Sequence, residues 1–296
     1  LYYQHVKTRN CLSVIDNILF ESSGPSIRMI EKPLTVDNWS RISPSISTRS
    51  ICTSLSLNKS SAFGIASTLK NSVIFTTTND PVPRFMSTTF LEEDSDDLPR
   101  TTDVKVNSFI NGESLTILEN GTITLYSENE IVTKLDMPVE NGFVLSSIEF
   151  ASHPRVVAAS FADSIQILDL RHENPGQDLI NCPIQNVSSI LSIDMHQIAV
   201  SSMSGIDIID LRFPTESSSQ FDYRFTSLPT SLFLEKIENS GRVFESIIAQ
   251  CCESSEVLFF PYTESEFSAP LRPFDVIMKP YETLEPESLT GISILN

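Results

Sequence analysis

The stretch IQILDLR at residues 165–171 recurs as IDIIDLR at residues 206–212. The two copies are separated by 210 − 169 = 41 positions, and this offset holds without a gap back to Val157 and Ile198. In both copies an apolar strand and a short turn precede a second strand, which ends in Asp-Leu-Arg. A strand–turn–strand unit repeated at this interval predicts a row of equivalent sheets that bury their faces against one another.

The same period reaches the preceding part of the chain. Aligning ITLYS at residues 123–127 with the repeated strand places Ser127 opposite Asp169, an offset of 169 − 127 = 42. This third unit ends in Tyr-Ser and lacks Asp-Leu-Arg. The strand is therefore the part that recurs throughout, and its first role is architectural.

The pattern of apolar residues predicts the fold class. In the repeated strand, Ile165 and Ile167 lie on one face while Leu168 and Leu170 lie on the other, as in a sheet that is buried on both sides. No stretch beyond residue 50 has the 3.6-residue period of a helix. We therefore predict an all-β fold, a β-propeller of four-stranded antiparallel blades, with about five recognisable blades and six to seven if partial ones are counted. The alternative, a β-sandwich, does not predict the in-phase recurrence.

The layout of the chain is less regular at its two ends. We predict an irregular segment at residues 1–49, which can form part of a first blade, and the propeller at residues 50–296. We expect the propeller to be cut at its C-terminal end, because residues 292–295 resemble the start of another strand. Prolines and polar residues predict three long connections, at residues 81–99, 214–220 and 261–287.

The charge of the chain limits its partners. It carries 38 acidic and 20 basic side chains, a net charge of −18, and its pI is about 4.5. An acidic surface repels phosphate, so we expect no nucleic-acid groove in this domain. The charge suits basic protein partners, although solubility alone also explains it. Because no apolar run approaches the length of a membrane helix, we expect no membrane partner.

One short segment concentrates the negative charge. Five carboxylates within six positions repel one another and bury no apolar surface, which predicts a solvent-exposed loop. A docking loop for partner proteins is the alternative. The five carboxylates occur within six positions, at Glu92, Glu93, Asp94, Asp96 and Asp97.

Residues able to carry catalysis or to bind a metal are sparse. The five cysteines are odd in number and lack Cys-x-x-Cys spacing, which argues against a zinc site and favours a reducing, intracellular compartment. His153 and His196 fall in predicted turns, and no catalytic or phosphate-binding motif is present. We therefore predict no enzymatic activity, no catalytic residue, no metal site and no cofactor.

Residues 150–170, FASHPRVVAASFADSIQILDL, resemble the core of a WD40 repeat. The position that is usually tryptophan holds Leu168, Ile209 and Tyr126 in three units, and the Gly-His pair is absent, so the repeats are degenerate. The resemblance covers roughly residues 50–296 and implies a propeller that acts as a scaffold for other proteins.

A narrower resemblance rests on the turn at His153 and Pro154, the apolar strand after it and the closing Asp-Leu-Arg. These features, over about 25 residues, are similar to the propeller-bearing TATA-binding-protein-associated factors of the RNA polymerase I promoter-selectivity (core) factor. The resemblance implies a nuclear or nucleolar component of a transcription initiation complex. Its partners would be TATA-binding protein and RNA polymerase I factors.

Two consecutive units that end in Asp-Leu-Arg also resemble the propellers that act as substrate receptors of cullin-RING ubiquitin ligases. In those propellers the arginine side chains dock on the adaptor. The candidate interaction residues are Asp169, Arg171, Asp210 and Arg212. In the alternative, each aspartate orders a blade turn and each arginine pairs locally. A trafficking or pore-complex scaffold is the third functional hypothesis.

Overall fold

The structure, a computed structural model, describes residues 12–15, 18–31, 40–58, 62–78, 84–91, 99–137, 147–151, 153–161, 164–171, 180–182, 184, 187–213, 217–225, 227–239, 242–251, 256–262 and 275–278. All regular structure in these residues is β-strand, which confirms the all-β prediction. The described part contains no helix long and apolar enough to cross a membrane. Its strands form six four-stranded antiparallel sheets, each built from four consecutive strands.

The chain divides into two compact units, one of residues 1–142 and 290–296 and the other of residues 143–289. The described strands of the first unit form sheets 1 to 3. Sheet 1 contains β1 (Leu12–Ile15), β2 (Ile18–Ser23), β3 (Ser26–Glu31) and β4 (Ser40–Ser47). Sheet 2 contains β5 (Cys52–Asn58), β6 (Phe63–Thr68), β7 (Ser72–Thr78) and β8 (Arg84–Phe90). Sheet 3 contains β9 (Thr101–Val106), β10 (Glu113–Leu118), β11 (Thr122–Ser127) and β12 (Glu130–Asp136).

The described strands of the second unit form sheets 4 to 6. Sheet 4 contains β13 (Ile148–Phe150), β14 (Val156–Phe161), β15 (Ser164–Asp169) and β16 (Ile180–Cys182). Sheet 5 contains β17 (Ser189–Ser192), β18 (Gln197–Ser202), β19 (Gly205–Asp210) and β20 (Ser217–Asp222). Sheet 6 contains β21 (Ser231–Asn239), β22 (Arg242–Cys251), β23 (Glu256–Tyr262) and β24 (Asp275–Met278).

The repeated stretch occupies the same place in three sheets. Its two copies lie in β15 and β19, which are the third strands of sheets 4 and 5 and end at Asp169 and Asp210. The third strand of sheet 3, β11, ends at Ser127, as the alignment predicted. The two copies therefore belong to different sheets and do not pair with each other.

In the first unit, aromatic side chains fill the space between sheets 1 and 2. Phe20 and Phe75 are fully buried, and their ring centroids lie 6.4 Å apart. Phe85 of the outermost strand β8 contacts Phe75 edge to face at 5.6 Å. The first strands of sheets 2 and 3 are joined by a hydrogen bond from Ser54 Oγ to Asp103 Oδ1 at 3.2 Å. A polar contact thus links the first strands of two neighbouring sheets, while apolar side chains pack between the sheet faces.

In the second unit, sheet 5 is buried on both faces. One face packs on sheet 4 through a cluster that includes Ile165 and Val200. The other face packs on sheet 6, where the rings of Phe221 and Phe260 meet edge to face with centroids 5.4 Å apart. This arrangement is the one that the two-sided apolar pattern of the repeated strand predicted.

The three predicted long connections contain strands, and the sequence prediction was wrong in this respect. Strands β8, β20 and β24 fall wholly or largely within residues 81–99, 214–220 and 261–287, and each is the fourth strand of its sheet. A fourth strand pairs on one side only, and β8 has mostly exposed side chains. Such a strand does not need the apolar pattern by which inner strands are recognised.

Sheet 1 lies within residues 1–49, for which the sequence predicted an irregular segment that can form part of a first blade; its four strands agree with the second part of that description and not with the first. Ile18 and Phe20 on β2 are buried, as are Ile27 and Met29 on β3, so residues two positions apart on each strand contribute to the core. Each such run is short, which is why the pattern was not recognised. The domain boundary after residue 49 stays a prediction.

Candidate protein-interaction site

The turn that follows β15 is closed by the carboxylate of Asp169. Its Oδ1 accepts hydrogen bonds from the backbone N–H of Arg171 at 3.0 Å and from Arg171 Nε at 2.8 Å, while its Oδ2 accepts from Arg171 Nη2. Hydrogen bonding to the carboxylate raises the pKa of Arg171. The pair forms along the turn, so the arginine side chain remains 56% exposed.

Asp210 and Arg212 reproduce this arrangement after β19. Asp210 Oδ1 accepts from the backbone N–H and from Nε of Arg212, both at 2.9 Å, and Oδ2 accepts from Nη2 at 2.6 Å. These hydrogen bonds from Arg212 lower the pKa of Asp210 from 3.8 to about 2. The N–H of Phe213 donates to the carbonyl of Asp210 at 2.9 Å. The four residues 210–213 therefore form one tightly bonded turn.

A backbone hydrogen bond joins each of these turns to the turn between the first two strands of its sheet. Leu170 N–H donates to the carbonyl of Arg155 in sheet 4, and Leu211 N–H donates to the carbonyl of His196 in sheet 5, both at 2.7 Å. Because sheets 4 and 5 pack face to face, the two Asp-Leu-Arg turns take equivalent places at one end of the second unit. Their role in protein binding stays a prediction.

Sequence reasoning missed exposed apolar side chains beside these turns. In sheet 5, Met195 is 60% exposed and Phe213 is 66% exposed, and both lie on turns at the same end of the sheet. Asp194 Oδ1 accepts from the backbone N–H groups of His196 at 2.5 Å and Gln197 at 2.8 Å, so the turn that presents Met195 is well defined. The sequence did carry a signal, an aspartate that begins a turn directly before a large apolar residue.

Sheet 3 presents an aromatic side chain in the same way, without an Asp-Leu-Arg. Asn107 Oδ1 accepts from the backbone N–H groups of Phe109 at 2.9 Å and Ile110 at 3.3 Å, and Phe109 is 51% exposed. Glu128 N–H donates to the carbonyl of Gly112 at 2.6 Å, which is the counterpart of the bonds between turns in sheets 4 and 5. A turn whose backbone is held in this manner loses little backbone conformational entropy when a partner binds.

The polar groups of these turns have structural roles. His153 Nδ1 accepts a hydrogen bond from the backbone N–H of Arg155 at 3.1 Å, which confirms the prediction that His153 lies in a turn.

In the described part of the chain, no three His, Cys, Asp or Glu side chains converge as a metal site requires. Cys52 and Cys251 are buried thiols, and burial raises the pKa of Cys52. The turns therefore offer hydrogen-bonding and apolar contacts.

The candidate acidic docking loop lies outside the described residues, so both interpretations of it stay predictions. In the sequence it follows β8 almost directly. Its members are Glu92, Glu93, Asp94, Asp96 and Asp97.

Comparison with known proteins identifies the fold. No protein-family model and no curated protein matches the chain in sequence. Among solved structures, the chain is similar to the WD40 β-propeller domain of Doa1, with a TM-score of 0.67 at 13% sequence identity. The match covers 98% of this chain and 86% of that chain. Agreement over nearly the whole chain confirms the prediction of a WD40-like β-propeller built from four-stranded antiparallel blades.

Proposed function

We propose that this propeller is a non-enzymatic scaffold that binds other proteins in a multiprotein assembly. The observation that carries the proposal is the set of exposed side chains on hydrogen-bonded turns, Phe109, Met195, Phe213, Arg171 and Arg212. Aromatic residues, methionine and arginine are the side chains that protein interfaces favour. The WD40-like fold supports the same function, because a propeller presents many turns on a rigid framework.

The narrower form of the proposal is a component of the RNA polymerase I initiation machinery, in the nucleus or nucleolus. It is supported by the turn at His153 and Pro154, which leads into β14, and by the Asp-Leu-Arg that closes β15. The acidic surface fits a component that bridges proteins and leaves DNA contacts to others. TATA-binding protein and RNA polymerase I factors are the proposed partners.

Affinity purification of the tagged full-length protein from nuclear extract, followed by quantitative mass spectrometry, tests both forms. RNA polymerase I polypeptides and TATA-binding protein are expected to be enriched. The variant M195S/F213S, which alters exposed residues only, is expected to fold normally and to lose part of the set. Stable partners without RNA polymerase I or TATA-binding protein would overturn the narrower form. Recovery of no partner would overturn the scaffold itself.

A second candidate function is that of substrate receptor on a cullin-RING ubiquitin ligase. Arg171 and Arg212 favour it, because they take equivalent places in packed sheets and keep 56% and 57% of their side-chain surface exposed. The variant R171A/R212A is then expected to lose the adaptor on co-purification. Arg84→Ala, which removes an exposed arginine from β8 in the other unit, is the matched control and should retain it. If the adaptor still co-purifies with R171A/R212A, this function is excluded.

A further inference from the structure

We propose that the outer edge of sheet 3 binds an extended, basic segment of a partner protein, which adds antiparallel to β12 as a fifth strand. The inference rests on the proposed scaffold function and assigns one of its surfaces. An edge strand presents a row of unpaired N–H and C=O groups, and strand addition satisfies them with main-chain hydrogen bonds.

Strand β12 has the exposure that such a site requires. Its only neighbour among the described strands is β11. No side chain of β12 is buried, and Ile131 and Val132 are 61% and 46% exposed. These two apolar residues are consecutive, and the register shift between Leu125 and Tyr126 leaves Val132 without an opposite residue on β11. An incoming strand would therefore cover adjacent apolar side chains as well as form main-chain hydrogen bonds.

The edge is held in place before any partner arrives. Strand β12 pairs with β11 from Glu130 opposite Ser127 to Asp136 opposite Thr122, and only Val132 at the register shift has no opposite residue. Thr122 Oγ1 also donates to Asp136 Oδ1 at 2.8 Å, which secures the last residue of the strand. A template that is already ordered reduces the entropy lost on binding.

Charge identifies the partner. Two copies of β12 paired antiparallel about Thr133 would bring Glu130 of one copy beside Asp136 of the other at both ends. Like charges on directly opposed residues destabilise a strand pair, so a second copy of this chain is disfavoured. A segment with lysine or arginine near both of its ends, and an acidic residue opposite Lys134, is complementary along the strand. The net charge of −18 further favours a basic partner.

A capped heptapeptide, KIETIKK, is the probe. Its first lysine lies opposite Asp136 and its glutamate opposite Lys134, while its last lysine lies opposite Glu130. The control peptide EIKTIEE reverses every charge. Fluorescence anisotropy of the labelled peptides with the full chain is expected to give about tenfold tighter binding of KIETIKK, since the three complementary pairs become three repulsive ones.

Two further measurements separate strand addition from general attraction to an acidic protein. The variant E130K/K134E keeps the net charge and is expected to shift the ratio of the two affinities about tenfold towards EIKTIEE. The variant R100E/E119R, a charge swap at residues that flank β9 and β10 of the same sheet, should leave the ratio unchanged. Methylating alternate backbone nitrogens of KIETIKK should abolish binding for one set of positions only, because each edge of a strand presents alternate N–H groups.

Equal binding of the two peptides, no effect of E130K/K134E, or equal effects of both methylated forms would overturn the inference. Its failure is distinguishable from failure of the scaffold function. If neither peptide binds the protein and a complex purified with E130K/K134E retains every partner, the edge site is refuted and the scaffold function stands. A chain that co-purifies with no partner would refute the scaffold whatever the peptides do.

Discussion

At the scale of single residues, the Asp-Leu-Arg motifs add to a turn that the fold forms without them. Leu170 and Leu211 each donate a backbone hydrogen bond to the neighbouring turn of their sheet, and Glu128 makes the same bond in sheet 3. Sheet 3 has Ser127 in place of the aspartate, so the carboxylate–guanidinium pair is not required for the bond between turns. The pair instead fixes the shape of residues 169–171 and leaves an arginine on the surface.

The ion pair between Asp210 and Arg212 makes the free energy of unfolding depend on pH under acidic conditions. Because the hydrogen bonds from Arg212 lower the pKa of Asp210 to about 2, ionised Asp210 stabilises the fold above its ordinary pKa of 3.8. That contribution is lost as pH falls through the window from about 4 to about 2. Arg212→Ala is expected to return the pKa towards 3.8 and to reduce the loss of stability in this window.

NMR titration of the aspartate side chains, combined with urea unfolding across the same window, measures both effects. Arg171→Ala is the control, because it removes the equivalent arginine in sheet 4 and should leave the pKa of Asp210 low. A low pKa that persists in Arg212→Ala would contradict the assigned cause.

Substitution by valine is expected to change the free energy of unfolding differently at two threonines of sheet 3. Thr116 is fully buried in β10 and its Oγ1 has no hydrogen-bond partner, so Thr116→Val should leave the free energy of unfolding unchanged or raise it by up to about 1 kcal/mol. Thr122 Oγ1 donates to Asp136, so Thr122→Val should cost about 1 kcal/mol. Urea unfolding of both variants measures the difference. Equal changes would show that the hydrogen bond does not decide the outcome.

At the scale of strands and sheets, the sequence predicted inner strands well and outer strands poorly. The third strands β11, β15 and β19 were recognised because burial on both faces imposes a continuous apolar pattern that recurs with the blade. The fourth strands β8, β20 and β24 pair on one side, so that constraint is absent and prolines and polar residues suggested loops.

Only those residues of the candidate site that lie within the repeated stretch could be predicted from the sequence. The two Asp-Leu-Arg turns were found from the 41-residue offset. Met195 and Phe213 were not, because a large apolar residue in a sequence is normally assigned to a core. Their exposure of 60% and 66% depends on turns that place them beyond the ends of the strands, and this is a property of the folded sheet.

The aromatic cluster between sheets 5 and 6 is expected to be the costliest place to remove a side chain. Phe260 is fully buried and contacts Phe221, Tyr223 and Phe225, with ring centroids 5.4 to 6.1 Å away. Phe260→Ala should therefore lower the free energy of unfolding by about 3–5 kcal/mol. Phe213→Ala, at a 66% exposed position, is the matched control and should change it by less than about 0.5 kcal/mol. Similar losses for the two variants in urea unfolding would contradict the packing argument.

At the scale of the whole molecule, the excess of acidic side chains acts on every sheet. With 38 acidic and 20 basic residues, repulsion between surface charges opposes the compact state. Dissolved salt screens that repulsion over about 10 Å at 0.1 M, so it should stabilise this chain at neutral pH.

Raising NaCl from about 0.02 M to about 0.5 M at pH 7 is expected to increase Tm by about 2–4 °C, the shift that ~1 kcal/mol produces in a large domain. Differential scanning calorimetry measures it. The same series near the pI of about 4.5 is the control and should be flat, because the net charge there is close to zero. A Tm that falls with salt at pH 7 would mean that favourable ion pairs outweigh the repulsion.

The assembly of every sheet from four consecutive strands has a consequence for how the chain is made. Strand pairs form between neighbours in sequence, so most pairs within the described sheets close over short connections and contribute a low contact order for an all-β protein. Short loops cost little entropy to close, and chains fold from their N-terminal end during synthesis. Each sheet is therefore able to form soon after its own four strands have left the ribosome. Its hairpins are complete before the sheet that will cover its exposed face has been translated.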